Sequence, residues 1–166
     1  LESRNAYFNI AKLGAVCNTY LRNVYGELHD ALNRGLPTDR FQVDWYIASR
    51  RVATRLRQGH YALSRALFEQ AGAVLVNPCR FDDRGLPIPP ETFQTPDVAF
   101  WLVEIPHRFQ EVKRQDPGLA RAWRFHTREL FETAFALGYL AVDFVREQEP
   151  GGPPRSFYAL VRAHLT

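Results

Sequence analysis

Methionine is absent from this 166-residue chain, cysteine occurs only twice, and lysine occurs only at Lys12 and Lys113. Each shortage excludes something. Cys17 and Cys79 are too few and too far apart for a disulfide framework. They read as small buried hydrophobes in a reducing compartment, so a cytoplasmic location is expected. No Cys/His spacing resembles a structural zinc site, and no metal is expected. Apolar runs are interrupted within a few residues, so no membrane-spanning helix fits, and there is no signal-peptide pattern. The net charge of +3 comes almost wholly from arginines interspersed with acids. No basic stripe suits a phosphate backbone, and nucleic acid is not an expected partner; an anionic small molecule is compatible with the charge.

What is present argues for a packed core: 46% of residues are hydrophobic and 13% aromatic, too apolar for a disordered chain. Residues 3–13 pattern as a helix with Ala6, Ile10 and Leu13 on one face, closed by Gly14. Residues 15–25 are strand-like, and Arg34-Gly-Leu-Pro37 is a turn by composition. Residues 40–47 alternate Phe41, Val43, Trp45 and Ile47 against polar Gln42 and Asp44, the pattern of a half-buried strand. Ser49 can cap a helix that buries Val52 and Leu56 and leaves Arg50, Arg51, Arg55 and Arg57 wet. A further helical stretch is expected over 61–70 and a short strand over 73–76.

Residues 77–97 carry five prolines and a glycine, an irregular connection. Residues 98–105 are nearly all apolar, as a strand covered on both faces is. Asp116-Pro117 opens a long helix whose stripe runs through Leu119, Trp123, Leu130, Ala134 and Leu137 to Gly138. Residues 140–146 and 156–162 form an antiparallel hairpin around Glu-Pro-Gly-Gly-Pro-Pro. A weak internal repeat is visible: Ala11-Lys-Leu-Gly14, a strand, a loop and Phe41-Gln-Val-Asp-Trp resemble Phe135-Ala-Leu-Gly138, a strand, a loop and Phe157-Tyr-Ala-Leu-Val.

The stretch Ser3-Arg-Asn5-Ala6 to Ile10-Ala-Lys-Leu13-Gly14-Ala15 resembles the segment that ends the cofactor-binding core of the GNAT superfamily of acyl-CoA-dependent acyltransferases. Asn5–Gly14, Pro37–Trp45, Val103–Pro106 and Trp123–Phe131 also resemble a bacterial GNAT subfamily. The resemblance implies an α/β (α+β) fold with a mixed, largely antiparallel sheet. Residues 1–58 are then the C-terminal part of a GNAT core, and 59–166 a second, degenerate GNAT-like extension; one compact unit is the alternative. It places about 80–100 residues of a usual domain before this helix, so the chain reads as the C-terminal part of a longer protein.

The function so implied is transfer of an acetyl or succinyl group from acetyl-CoA or succinyl-CoA to a small-molecule amine by direct attack. The family's catalytic tyrosine falls at Ile10, and Tyr7, one turn earlier, is the candidate proton donor. Glu104, set in an apolar strand, is either a general base or the structural partner of an arginine. Asn5 and Asn9 are candidates for the cofactor, and Asp39, Arg40, Arg124 and Arg128 for the substrate, with Thr127 beside the last two. The glycine-rich loop that normally grips the CoA pyrophosphate is missing, since Pro106 is followed by His-Arg-Phe-Gln-Glu-Val. The competing expectation is therefore a non-catalytic domain that binds a ligand or a partner chain. Open strand edges point to a homodimer.

Overall fold

The computed structural model describes residues 1–162. One mixed sheet organises them. Its strands are β1 (Val16–Leu21), β2 (Arg40–Asp44), β3 (Val74–Leu75), β6 (Phe100–Ile105), β7 (Tyr139–Gln148) and β8 (Pro154–Arg162), in the spatial order β2-β1-β7-β8-β6-β3. Every neighbouring pair is antiparallel except β3 with β6. β4 (Arg80–Phe81) and β5 (Pro87–Ile88) form a separate small ribbon inside the proline-rich connection. The fold is α+β with a mostly antiparallel sheet, and that sheet takes strands from both halves of the chain.

Five helices flank it: α1 (Ser3–Ala6), α2 (Arg50–Gln58), α3 (Arg65–Gln70), α4 (Phe109–Gln115) and α5 (Pro117–Ala136). α1 runs on into a π-helical segment, Tyr7–Lys12, in which Leu13 N–H reaches back five residues to Phe8 C=O. The wider winding alters the expected face: Ala6, Ile10 and Ala11 are buried, while Leu13 is only half-buried. α5 starts as its sequence demands, with the Asp116 carboxylate accepting from Leu119 N–H and Pro117 in the first turn.

The main core lies on one sheet face, where α1, its π-helical continuation and α5 cover Trp101, Val103, Tyr139, Tyr158 and Leu160. The opposite face buries Leu102, Val145, Phe157 and Ala159 under Phe68 of α3. Coverage on both sides explains the unbroken apolar run of β6. A third cluster joins Phe109 and Val112 of α4 to Ala120 and Trp123 of α5. Among the expected inward residues, Val43, Leu56, Leu137, Trp45 and Ile47 are exposed instead. β2 stops at Asp44 at the sheet's edge, and the Trp45 indole only donates to Leu13 C=O. On α5, Thr127 and Phe131 take the buried positions that Leu137 was expected to share.

The two hairpins β1–β2 and β7–β8 repeat one design. Each follows a helix and a glycine of positive φ, +76° at Gly14 and +86° at Gly138. Three residues after that glycine, Cys17 and Ala141 pair with each other across the β1–β7 seam. The ladder of each hairpin then slips at the next residue, Asn18 in one and Val142 in the other. A bulge inserts one residue and reverses the alternation. Beyond Val142 it is Phe144 that faces the main core, and Asp143 turns to the other face.

The β1–β7 seam rests on one Cα pair, and α2 fastens it. Arg51 donates to Gly14 C=O at 3.0 Å and to the C=O of the bulged Val142. Arg55 donates to Ala11 C=O at 2.7 Å and pairs with Asp143 at 3.2 Å. These two arginines, expected on the wet side of α2, instead satisfy carbonyls that the π-helix end and the bulge leave unpaired. Gly14 admits them closely: a Cβ there would lie 3.2 Å from Arg55 Cγ. Burial pushes the Asp143 carboxyl upward, opposed by Phe144 N–H and Arg55. Arg55→Met is expected to cost about 3 kcal/mol in a denaturant titration, because it takes the arginine from a buried carboxylate and leaves it only the Phe144 N–H and His60, 3.2 Å away. Adding Asp143→Val should recover part of that loss; equal midpoints for wild type and Arg55→Met would show that the clamp contributes nothing.

Candidate functional site

A cavity of about 450 Å³ opens between the N-terminal helix, the connection from β1 to β2, and the α4–α5 pair. Its walls form where these elements meet at angles the core imposes. Asn5 and Asn9, one turn apart, face it together with Ala6 and Ile10. Its apolar lining includes Phe41, Phe109, Phe131 and Tyr158, with Phe41 edge-on to Phe131 at 4.7 Å between ring centres. Three cations line the same space: Arg40 from β2, Lys113 from α4 and Arg124 from α5.

The β1–β2 connection is a built wall rather than a slack loop. Asn23 takes a positive φ, +47°, a conformation asparagine tolerates better than most residues. The Thr38 hydroxyl accepts from Tyr25 N–H and donates to Gly26 C=O. Asp30 accepts from the backbone of Leu32 and Asn33 and from the Asn33 side-chain amide. That leaves Asn33 Oδ1 free to accept from Lys113 Nζ at 2.6 Å. Arg121 of α5 ties down Gly35 C=O.

Asp39 anchors the wall to α5. Its side chain is fully buried and receives Arg128 through two bonds of 2.8 Å, Tyr20 Oη at 2.7 Å and Asn23 N–H at 2.9 Å. Burial alone pushes its carboxyl up, but Arg128, Tyr20 and the backbone N–H outweigh it and hold it below the usual carboxylate range. The Tyr20 phenol is pushed well up by burial and by donating to Asp39. Asp39 is therefore a fixed anion, with its charge spent on Arg128.

Arg124 contrasts with that satisfied pair. It is 6% exposed, and its Nε is buried with no hydrogen-bond partner. Burial draws its guanidinium down from its ordinary value, with Tyr20 and Asp39 opposing. Among the described residues, none of Arg40, Lys113 and Arg124 forms a salt bridge. Arg40 donates to its neighbour Asp39 C=O and lies over the Tyr25 ring. Lys113 and Arg124 both lie by the Phe109 ring, at 5.8 and 5.4 Å from its centre. Of the acids in the lining, Glu2 accepts from Gln110 and Asp39 is held as described. The cavity thus carries uncompensated positive charge over aromatic walls, an arrangement that attracts an anion with an apolar body.

Asn5, Asn9, Asp39, Arg40 and Arg124 meet around this space, while Tyr7, Glu104 and Arg128 lie elsewhere. Tyr7 projects from the other side of the helix, edge-on to His60 at 6.2 Å and beneath Arg146. Glu104 is 1% exposed and receives Arg155 at 2.7 and 2.8 Å and Cys79 N–H at 2.9 Å. Of the two roles weighed for it, the arginine partner is the one its contacts describe. Its backbone is bridged at both N–H and C=O by the Asn77 amide, where β3 parts from β6. Sequence reasoning missed Lys113, Asn33, Tyr20 and Phe109. Their signals were the rarity of lysine and the Phe109/Val112 spacing of a helix not anticipated after Pro106.

No family model, curated protein or solved structure matches the chain. Among the described residues no group of side chains is suited to hold a metal ion, and no helix is long and apolar enough to cross a membrane.

The frame around the cavity carries a pH signature. His126 Nε2 lies 3.1 Å from the Asn77 amide nitrogen, which makes the neutral ring an acceptor there. Burial lowers its pKa from the ordinary 6.5 to about 4. The unfolded chain therefore binds the extra proton first, so this contribution is full above pH 6.5 and is lost as pH falls toward 4. Melting temperatures of wild type and His126→Gln should converge over that window as pH falls; a constant difference would rule out His126 as the group responsible.

Proposed function

We propose that the protein binds a small anionic molecule with an apolar or acyl body, and that Arg124, Arg40 and Lys113 hold its negative charge. The observation that carries this reading is Arg124 in the lining of a large cavity, with no carboxylate paired to it and a buried Nε that has no hydrogen-bond partner. Holding a guanidinium out of water without a counter-charge is costly, and a bound carboxylate lowers that cost. Binding fits the site better than turnover by this chain alone. Of the acids in the lining, Asp39 is neutralised by Arg128 and cannot serve as a base, which leaves Glu2, bonded through one oxygen to Gln110.

A second reading is favoured by one observation: Asn5, Asn9 and Arg124 open on the same cavity. In that reading the protein moves an acetyl or succinyl group from CoA to an amine, with the acyl end lodged here.

Isothermal titration with succinate, acetyl-CoA and succinyl-CoA separates the two. Heat with succinate and no tighter binding of either thioester supports a binding domain. Tighter binding of succinyl-CoA than of succinate supports the acyl-donor reading. Arg124→Met should weaken succinate at least about tenfold, because a desolvated charge pair loses one partner. The same substitution should raise the melting temperature of the ligand-free protein, since a buried charge is replaced by a hydrophobe of similar length. No heat with any of the three compounds would refute both readings.

A further inference from the structure

We infer that Lys113 captures its ligand covalently, so that the cavity's ligand class is a small carboxylic acid bearing a reactive carbonyl, a 2-oxo or aldehydic acid. This rests on the anion-binding reading above and extends it from charge to chemistry.

Lys113 is 7% exposed, on α4, and points its amine into the cavity. A lysine so placed normally meets a carboxylate. Here its one side-chain hydrogen bond goes to the neutral Asn33 Oδ1, which Asp30 holds in position through the Asn33 amide. The groups that act on the amine come from every side of the cavity. Arg124 of α5 and Arg40 of β2 oppose its charge, while Glu2 beside α1 and Asp30 of the connection favour it. Burial is the largest influence and, with the two arginines, outweighs the two acids and draws the ammonium below its ordinary range. A larger share of free amine is the requirement for a lysine nucleophile, and desolvation beside other cations is one of the established ways to supply it.

The geometry supplies the second requirement, an anchor for the electrophile. Arg124 Cζ and Lys113 Nζ lie on one aromatic ring, each within 6 Å of the Phe109 centre. Both residues line one cavity, and in the proposed complex a carboxylate held by Arg124 presents a carbonyl carbon of the same molecule to the amine, the proximity that makes such an addition effectively intramolecular. The Lys113 lone pair attacks that carbon, and the carbonyl π bond breaks toward oxygen. The oxygen takes a proton while the nitrogen gives one up, with water as the carrier. The carbinolamine then expels the oxygen as water, leaving a C=N bond. One water is released, and nothing is oxidised or reduced.

Lys12 is the only other lysine and is exposed, so its label gives the background rate, and the α-amine of Leu1, in the same cavity lining, is mapped beside them. The test is reductive trapping: the protein is incubated with glyoxylate and cyanoborohydride, whose hydride converts an imine to a stable amine, and the modified residue is mapped by peptide mass spectrometry. Lys113 should be labelled at least about tenfold faster than Lys12, because a carboxylate held in the cavity brings the carbonyl to its amine and Lys12 has no such anchor. Excess succinate, which carries carboxylates but no carbonyl, should suppress that label and leave Lys12 unchanged. The label should persist in Lys12→Arg and vanish in Lys113→Arg. Labelling of another amine in preference to Lys113, or a Lys113 label that succinate does not suppress, would overturn the inference. So would absence of label in protein that still gives heat with succinate, and that result leaves the anion-binding reading standing. Absence of heat with succinate means that the reading beneath has failed instead.

Discussion

A guanidinium held out of water without a counter-charge is the constraint on which the account of this molecule turns. Arg124 projects from the middle of α5, between Trp123 in the α4–α5 core and Thr127 in the cavity wall. Its neighbours are fixed by other demands. Asp39, the nearest buried carboxylate of the wall, is spent on Arg128, one helical turn further along α5. Two arginines a turn apart thus meet one acid, and the acid is taken. The surplus charge faces the cavity and defines what can fill it.

The wall that creates this imbalance depends on how the sheet is assembled. β1 and β2 are joined to the rest through a single Cα pair at Cys17 and Ala141, so hydrogen bonding across the seam cannot fix their orientation. Arg51 and Arg55 do so from outside, gripping the π-helix end and the β7 bulge. Inside, the aromatic cluster of Tyr20, Phe41, Phe131 and Tyr158 packs the hairpin against α5 and β8. The clamp and the cluster together hold the β1–β2 connection over the α4–α5 pair, and the cavity is the space left beneath it. The repeated bulge has separate consequences in its two copies. At Val142 it turns Asp143 toward α2, and at Asn18 it resets the alternation so that Tyr20 and Phe41 share the core side.

The sequence was most legible where local chemistry and burial agree. Asp116-Pro117, the apolar run of β6, the Gly138 terminus and the β7–β8 hairpin each combine a strong local signal with a tertiary role that reinforces it. It was less legible where tertiary contacts override local pattern. Arg51 and Arg55 read as solvated because their partners are backbone carbonyls exposed by a π turn and a bulge, and neither feature has a sequence signature. Trp45 and Ile47 read as buried because periodicity does not reveal which strand lies at an edge, and Leu56 because it does not reveal that α2 meets the sheet through Arg51 and Arg55. In the site, the polar residues of the first helix and of the 39–40 corner were visible as candidates, as was Arg124. The pairing that neutralises Asp39 and leaves Arg124 unmatched depends on a contact across 89 positions of sequence, which no local pattern encodes. The helix carrying Lys113 escaped notice because its apolar face is only two residues wide.

The central claim is that the charge of Arg124 is completed by a bound carboxylate. The most direct measurement is the side-chain Nε–H resonance of Arg124, assigned in nitrogen-15 spectra by its loss in Arg124→Met and followed as succinate is added. The account predicts a saturable shift of that resonance with slowed exchange with solvent, while the Arg128 resonance, already bonded to Asp39, stays in place. An Arg124 signal unmoved at saturating succinate, or one moving no more than those of the exposed arginines, would contradict it.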